Sequence, residues 1–141
     1  MMARLREVVP GVLVGYPVDA AYVYGSVARG TVMPFSDVDL ALLLSETPPP
    51  YDRMMLEFDV EAAIEDASGL KNLDVRAINE APLLVQGTIV QEGVLLYEGD
   101  HGRRVAFEVQ TRMRYFDFEP MARQLAVAFL DKIHREGLRY G

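Results

Sequence analysis

Apolar and polar positions along this chain alternate in two rhythms. Leu40–Leu44 (L-A-L-L-L) is a short apolar run with no polar alternation, the pattern of a strand buried on both faces, and Ala20–Tyr24 (A-A-Y-V-Y) is a strand candidate by its β-branched and aromatic content. Asn72–Ile78 and Val94–Tyr97 supply two more strand candidates. Between them the spacing turns helical. A first helix is expected over about Ala3 to Val9, with Pro10 ending it or opening a second short turn, and Gly15 to Asp19 forming a turn into the first strand. In Tyr51–Ala67, Met54, Phe58 and Ala62 recur every fourth residue while Leu56, Val60 and Ile64 make a second stripe, so broad burial is expected, with Ser68-Gly69 as the stop. Ala81-Pro82 opens a helix through Gln91, and Gly93 ends it. The remainder is expected to be helical from Arg103 to about Arg139, broken or kinked near Phe118-Glu119-Pro120. Its stripes, Ala106, Val109, Met113 and Phe116 and then Met121, Leu125, Phe129 and Ile133, are read as core-facing; Arg112, Arg114, Tyr115 and Phe116 add a basic and aromatic cluster of interface character.

The joins between strands carry the candidate chemistry. Gly25-Ser26 follows the first strand directly, and Val27-Ala28-Arg29 can start a short helix after it. Glycine permits a sharp turn, serine is a good N-cap, and free N–H groups at a helix start attract phosphate. After a short link, Thr31–Phe35, come Asp37 and Asp39. Strand side chains repeat with period two, so both carboxylates project from one face near the strand's start. Two carboxylates beside a buried core repel each other unless something compensates, and a hard cation such as Mg²⁺ prefers carboxylate oxygen. The plain alternative is a solvated strand end without a ligand. A phosphate-binding turn next to an acid pair is what a nucleoside triphosphate with Mg²⁺ requires.

In order, Gly25-Ser26-Val27-Ala28-Arg29-Gly30 and Ser36-Asp37-Val38-Asp39-Leu40 resemble the signature of the DNA polymerase β-like nucleotidyltransferase superfamily. The short chain and the G-S-x-A-R-G form resemble its minimal nucleotidyltransferase (MNT) branch. The resemblance runs from about Ala20 to Tyr97. It implies an α/β (α+β) fold, a small mixed sheet flanked by helices with C-terminal helices following. A single domain is expected over 1–141, with its core at about 18–98 and a helical extension at about 103–139. The family pattern also has a third acid on a neighbouring strand, and Asp74 in Leu73-Asp74-Val75-Arg76 sits where that acid should. By this likeness Asp37, Asp39 and Asp74 are the catalytic acids and metal ligands for two Mg²⁺ ions. Gly25 and Ser26 hold the triphosphate, and Arg29 either contacts phosphate or braces the turn. The reaction implied is attack of a hydroxyl on the α-phosphate of a nucleoside triphosphate, ATP being the expected donor. The resemblance further implies an antitoxin that transfers AMP to a tyrosine of a HEPN-type toxin. A non-catalytic binding module, a nucleotide sensor and a small-molecule nucleotidyltransferase are the competing readings.

Bulk properties narrow this picture slightly. The 141 residues suffice for one domain with a real core, and half are hydrophobic. A net charge of −7 disfavours direct nucleic-acid binding but not a nucleotide that arrives with its own cation. Cysteine is absent, which rules out disulfides and thiolate metal sites. Val12-Leu13-Val14 is too short for a signal core and no apolar stretch approaches the ~20 residues that span a bilayer, so a cytoplasmic location is expected. His101 and His134 have no partner at metal-ligand spacing. The acceptor, base preference and oligomeric state are not readable from the sequence.

Overall fold

The structure, a computed structural model, describes residues 1–30 and 37–136, without the side chains of Ser26, Arg29, Ala122, Ala126 and Glu136. The link Thr31–Phe35 and the last residues of the final predicted helix lie outside the described residues. The elements run α1 (Met2–Leu13), β1 (Val18–Tyr24), α2 (Ser26–Arg29), β2 (Val38–Leu44), α3 (Pro50–Ser68), β3 (Leu73–Ala77), α4 (Leu83–Glu92), β4 (Val94–Glu98) and α5 (His101–Glu136). The strands form one mixed sheet in the order β3-β2-β1-β4. β2 runs antiparallel to β1 and parallel to β3, and β4 closes the other edge antiparallel to β1. Among the described residues no helix is long and apolar enough to cross a membrane.

Two cores sandwich the sheet. Leu5, Val9 and Leu13 of α1 and Val60 and Ile64 of α3 pack with Ala21, Val23, Leu40, Leu42 and Val75 on one face. On the other, Ala20, Tyr22, Ala41 and Leu43 meet Ile78, Ile89 of α4 and Phe107 of α5. The alternation along β2 therefore sends Leu40 and Leu42 to one side and Asp39, Ala41 and Leu43 to the other.

Several expectations are corrected by the packing. α1 does not stop at Val9: Pro10 lies inside the helix and forfeits only its own N–H, while continuing one more turn buries Leu13 below Val9. Val18 and Asp19, expected in a turn, belong to β1 because Gly99 and Asp100 donate backbone N–H groups to the Asp19 carbonyl. In α3 only the Leu56–Val60–Ile64 stripe turns inward; Met54, Phe58 and Ala62 are exposed. The two stripes are offset by two residues, about 200° around a helix, so one sheet cannot cover both. The polar side of α3 is engaged as well. Its Glu57 and Glu61 accept the backbone N–H groups of Ala77 (2.7 Å) and Val75 (3.3 Å). This satisfies the outer edge of β3, which otherwise presents unpaired donors.

The largest correction concerns the C-terminal helix. α5 continues through Pro120 without a break. Its packed side is not the predicted stripe; it is made of Arg104, Phe107, Glu108, Thr111 and Tyr115, whereas Ala106, Val109, Met113 and Phe116 are exposed. The cause is a close approach at Gly87 of α4, where an added Cβ would overlap the Tyr115 ring. Arg104 and Glu108 neutralise each other inside the packed side, so it reads as polar in sequence. Further along, Met121, Leu125 and Phe129 are exposed too, and only Ile133 is partly covered.

Candidate active site

The acids gather where β2 begins, on the face shared with Ala41 and Leu43. Asp39 is the node: its Cα partner in β1 is Tyr24 and its partner in β3 is Asp74. Asp37 immediately precedes β2 and is exposed, two residues from Asp39 and therefore on its side of the strand. Partial burial, then the charges of Asp74 and Asp37, push the Asp39 carboxyl above the ordinary carboxylate range. Burial likewise raises the Tyr24 hydroxyl, with Asp39 and Asp74 adding to the effect. The carboxyl groups thus feel one another across the strands.

The Gly-Ser turn meets the same node. Gly25 has φ +76°, a left-handed conformation that disfavours any side chain, and an added Cβ would stand 2.7 Å from Asp39 Oδ2. α2 begins at Ser26 itself, one residue before the expected start at Val27. The turn and the central acid are thus in van der Waals contact. The side chains of Ser26 and Arg29 lie outside the described residues.

Asp74 departs from the simplest expectation. Its Oδ1 accepts a hydrogen bond from Arg76 Nε at 3.0 Å, and this bond together with the Asp74 charge raises the Arg76 pKa. The pair is largely exposed, so its contribution to stability is small. Among the described residues no group of three or more acids or histidines is arranged to hold a metal ion. The donor set nonetheless fits Mg²⁺: the ion is commonly held by one or two carboxylates plus substrate phosphates, and Asp39 carries an unrelieved charge conflict that a cation would remove. Tyr24 and Arg76 were missed as site residues in the sequence; period two from Asp74 puts Arg76 on the same face, so that signal was available.

Residues 11–102 match the family "Polymerase beta, Nucleotidyltransferase". The chain belongs to this nucleotidyltransferase family. None of the curated proteins matches it in sequence. Among solved structures, a toxin–antitoxin crystal structure with AMP-PNP is similar at TM-score 0.70 and 20% identity, over 89% of this chain and 98% of the other. The toxin–antitoxin MntA-HepT is similar at TM-score 0.65 and 17% identity, over 92% and 99% of the two chains. A tri-AMPylated HEPN toxin from Shewanella oneidensis in complex with an MNT antitoxin is similar at TM-score 0.64 and 17% identity, over 92% and 98%. At such identities these likenesses establish a shared fold. The mixed four-stranded sheet and its helices are thus those of a polymerase β-like nucleotidyltransferase.

Elsewhere on this nucleotidyltransferase, a cavity of about 250 Å³ opens on the same sheet face but near the far end of β2, lined by Leu43, Asn79, Arg103 and Phe107 among others. It is separate from the acids. Beside it, buried Asp19 accepts from Ser45 Oγ (2.8 Å) and Arg103 Nε (2.9 Å), a contact that fastens the start of α5 to β1.

Proposed function

We propose that this nucleotidyltransferase is a Mg²⁺-dependent antitoxin that moves AMP from ATP to a tyrosine hydroxyl of a HEPN-type toxin. The observation that carries the reading is the position of Asp39, flanked in charge by Asp37 and Asp74 and pressed against the Gly25 turn. The similarity to toxin–antitoxin structures, one with AMP-PNP and one with an AMPylated toxin, supports the nucleotide and the partner.

Asp37 and Asp39 would hold Mg²⁺ against the triphosphate, with Asp74 completing the second of two ion positions. When bound, the cation supplies positive charge for the phosphates and the pyrophosphate leaving group. The Gly25 turn lets the nucleotide approach the backbone closely, and N–H groups at the start of α2, with Ser26, would bind phosphate oxygens; Arg29 is the neighbouring cation. The acceptor oxygen bonds to the α-phosphorus, the bond to the bridging oxygen of the leaving pyrophosphate breaks, and the hydroxyl proton passes to the Asp74 carboxylate. Arg76 Nε engages only Oδ1, so Oδ2 is the oxygen that would take the proton, while the guanidinium makes the carboxylate a weaker base.

The same Asp74–Arg76 bond favours a second reading, in which nucleotide is bound without being transferred and the protein acts by covering its partner. Incubation with α-labelled ATP, Mg²⁺ and a HEPN protein separates the two. Transfer predicts label on a toxin tyrosine, reduced by two orders of magnitude or more in Asp39→Asn, which is what several kcal/mol of lost transition-state stabilisation produces. No label on the toxin, together with a Mg²⁺-ATP-dependent rise in melting temperature of about 5–10 °C near 100 times Kd, supports binding alone.

A further inference from the structure

Asp74 and Arg76 are only half paired, and they stand at the β3 side of the acid cluster. Both lie on the sheet face that carries Asp39, because Asp74 is registered beside Asp39 and Arg76 beside Ala41. Both reach solvent, with side chains exposed at 43% for Asp74 and 67% for Arg76. Arg76 Nε donates to Asp74 Oδ1 at 3.0 Å. Among the described residues Asp74 Oδ2 receives no hydrogen bond, and the Arg76 Nη groups make none. An arginine and a carboxylate in full register close on each other with two parallel bonds. This pair makes one, which leaves an acceptor oxygen and guanidinium donors open to a third group.

The chemistry of that group is narrow, since it must donate to a carboxylate and accept from a guanidinium. An ammonium group is repelled by Arg76 and has no lone pair to offer it. A carboxylate or phosphate is repelled by Asp74 and by Asp39 beside it. A hydroxyl meets both demands with one oxygen. We propose that Arg76 binds the acceptor hydroxyl, an Nη group donating to the acceptor oxygen while the hydroxyl donates to Asp74 Oδ2. This deepens the transfer reading and rests on it. As the oxygen bonds to the α-phosphorus and its proton passes to Oδ2, the guanidinium faces the negative charge that builds on that oxygen. The Gly25 turn touches Asp39 from the β1 side, and Arg76 lies on the β3 side, so nucleotide and acceptor are held by different residues.

Arg76→Gln tests the assignment, because it removes the charge from an exposed side chain. With Mg²⁺ and saturating α-labelled ATP, the rate of label transfer to a HEPN-type toxin should fall by roughly 100-fold, the lower end of what one lost donor to a developing oxyanion costs. The rise in melting temperature given by Mg²⁺-ATP should be the same in parent and variant. A toxin carrying ring-fluorinated tyrosine, whose hydroxyl ionises more readily, should recover much of the lost rate in Arg76→Gln and gain little with the parent. An equal deficit with both acceptors would mean that Arg76 does not touch the acceptor oxygen, and would overturn the proposal. So would a variant as fast as the parent, a faster one, in which the arginine only restrains Asp74, or one that loses the Mg²⁺-ATP effect. A parent that is stabilised by Mg²⁺-ATP yet labels no acceptor overturns the transfer reading, and this assignment with it.

Discussion

The two faces of the sheet are built from different material. Toward α1 and α3, the buried core consists wholly of aliphatic side chains, Leu40, Leu42, Val60 and Ile64 among them. Toward α4 and α5, the sheet offers Ala20, Ala41 and Tyr22, a smaller and more polar surface, and at the start of β2 that surface ends in Asp39. Alternation along β2 ties the two together: every second residue anchors the strand, and the residues between are free to carry chemistry. The aliphatic face is the rigid base that lets mutually repelling acids stay in place on the opposite face.

The largest effect should come from the base. Leu40→Ala removes a fully buried side chain next to Asp39 and should cost about 2–5 kcal/mol in denaturant unfolding. If Mg²⁺-ATP still stabilises the folded variant, the faces are separable; if ligand stabilisation disappears while the fold persists, the aliphatic face positions the acids directly. Gly25→Ala attacks the other face. Its Cβ would lie 2.7 Å from Asp39 Oδ2 at a φ of +76°, so a cost of about 1–3 kcal/mol is expected from left-handed strain. Mg²⁺-ATP should protect this variant less than the parent in thermal unfolding, because the methyl group displaces the Asp39 carboxylate.

What was legible in the sequence follows the same division. Strands were readable because Leu40–Leu44 and Ala20–Tyr24 are local apolar runs, and the acid pair because Asp37 and Asp39 lie one turn and one short link from Gly25. Features decided by docking were not readable. The inner side of α5 was misread because several apolar stripes run along that helix, and the absent side chain at Gly87, on another helix, chooses among them by admitting Tyr115. The edge of β3 was opaque for the same reason, since Glu57 and Glu61 act on it only once α3 has docked. Asp74 was found by likeness, but its bond to Arg76 needed the strand's own period of two to be applied one step further.

A smaller effect would sharpen the electrostatic side of the comparison. The folded Asp39 carboxyl titrates above its ordinary value of 3.8, so the folded state holds the proton more tightly than the unfolded state does. Stability is therefore lost as pH rises from the ordinary Asp range through the raised folded value, and the penalty stays constant above it. Asp39→Asn removes that penalty. Without metal, its melting temperature at neutral pH should lie slightly above the parent's. The gap should close near pH 4. Added Mg²⁺ should stabilise the parent and leave the variant unchanged. A parent more stable than Asp39→Asn at neutral pH without metal would mean that the carboxylate already has a compensating partner.

The smallest effect tests the polar content of the α4 and α5 face away from the acids. Tyr22 is buried at the centre of β1, and among the described residues its hydroxyl has no hydrogen-bond partner. Burial holds that hydroxyl far above its ordinary pKa, with the charge of Glu108 acting in the same direction and Arg104 against it, so it stays neutral. A buried hydroxyl without a partner costs desolvation and returns nothing, whereas phenylalanine keeps the ring's contacts with Ala41 and Ile89. Tyr22→Phe should therefore change stability by less than about 1 kcal/mol, with a gain more expected than a loss, since the unpaired group's penalty disappears with it. A loss of more than that in denaturant unfolding would show that the hydroxyl is bonded in solution, within reach of the Arg104–Glu108 pair. This face would then be held by a polar network running from β1 into α5, and the contrast with the aliphatic face would be one of bonding as well as of shape.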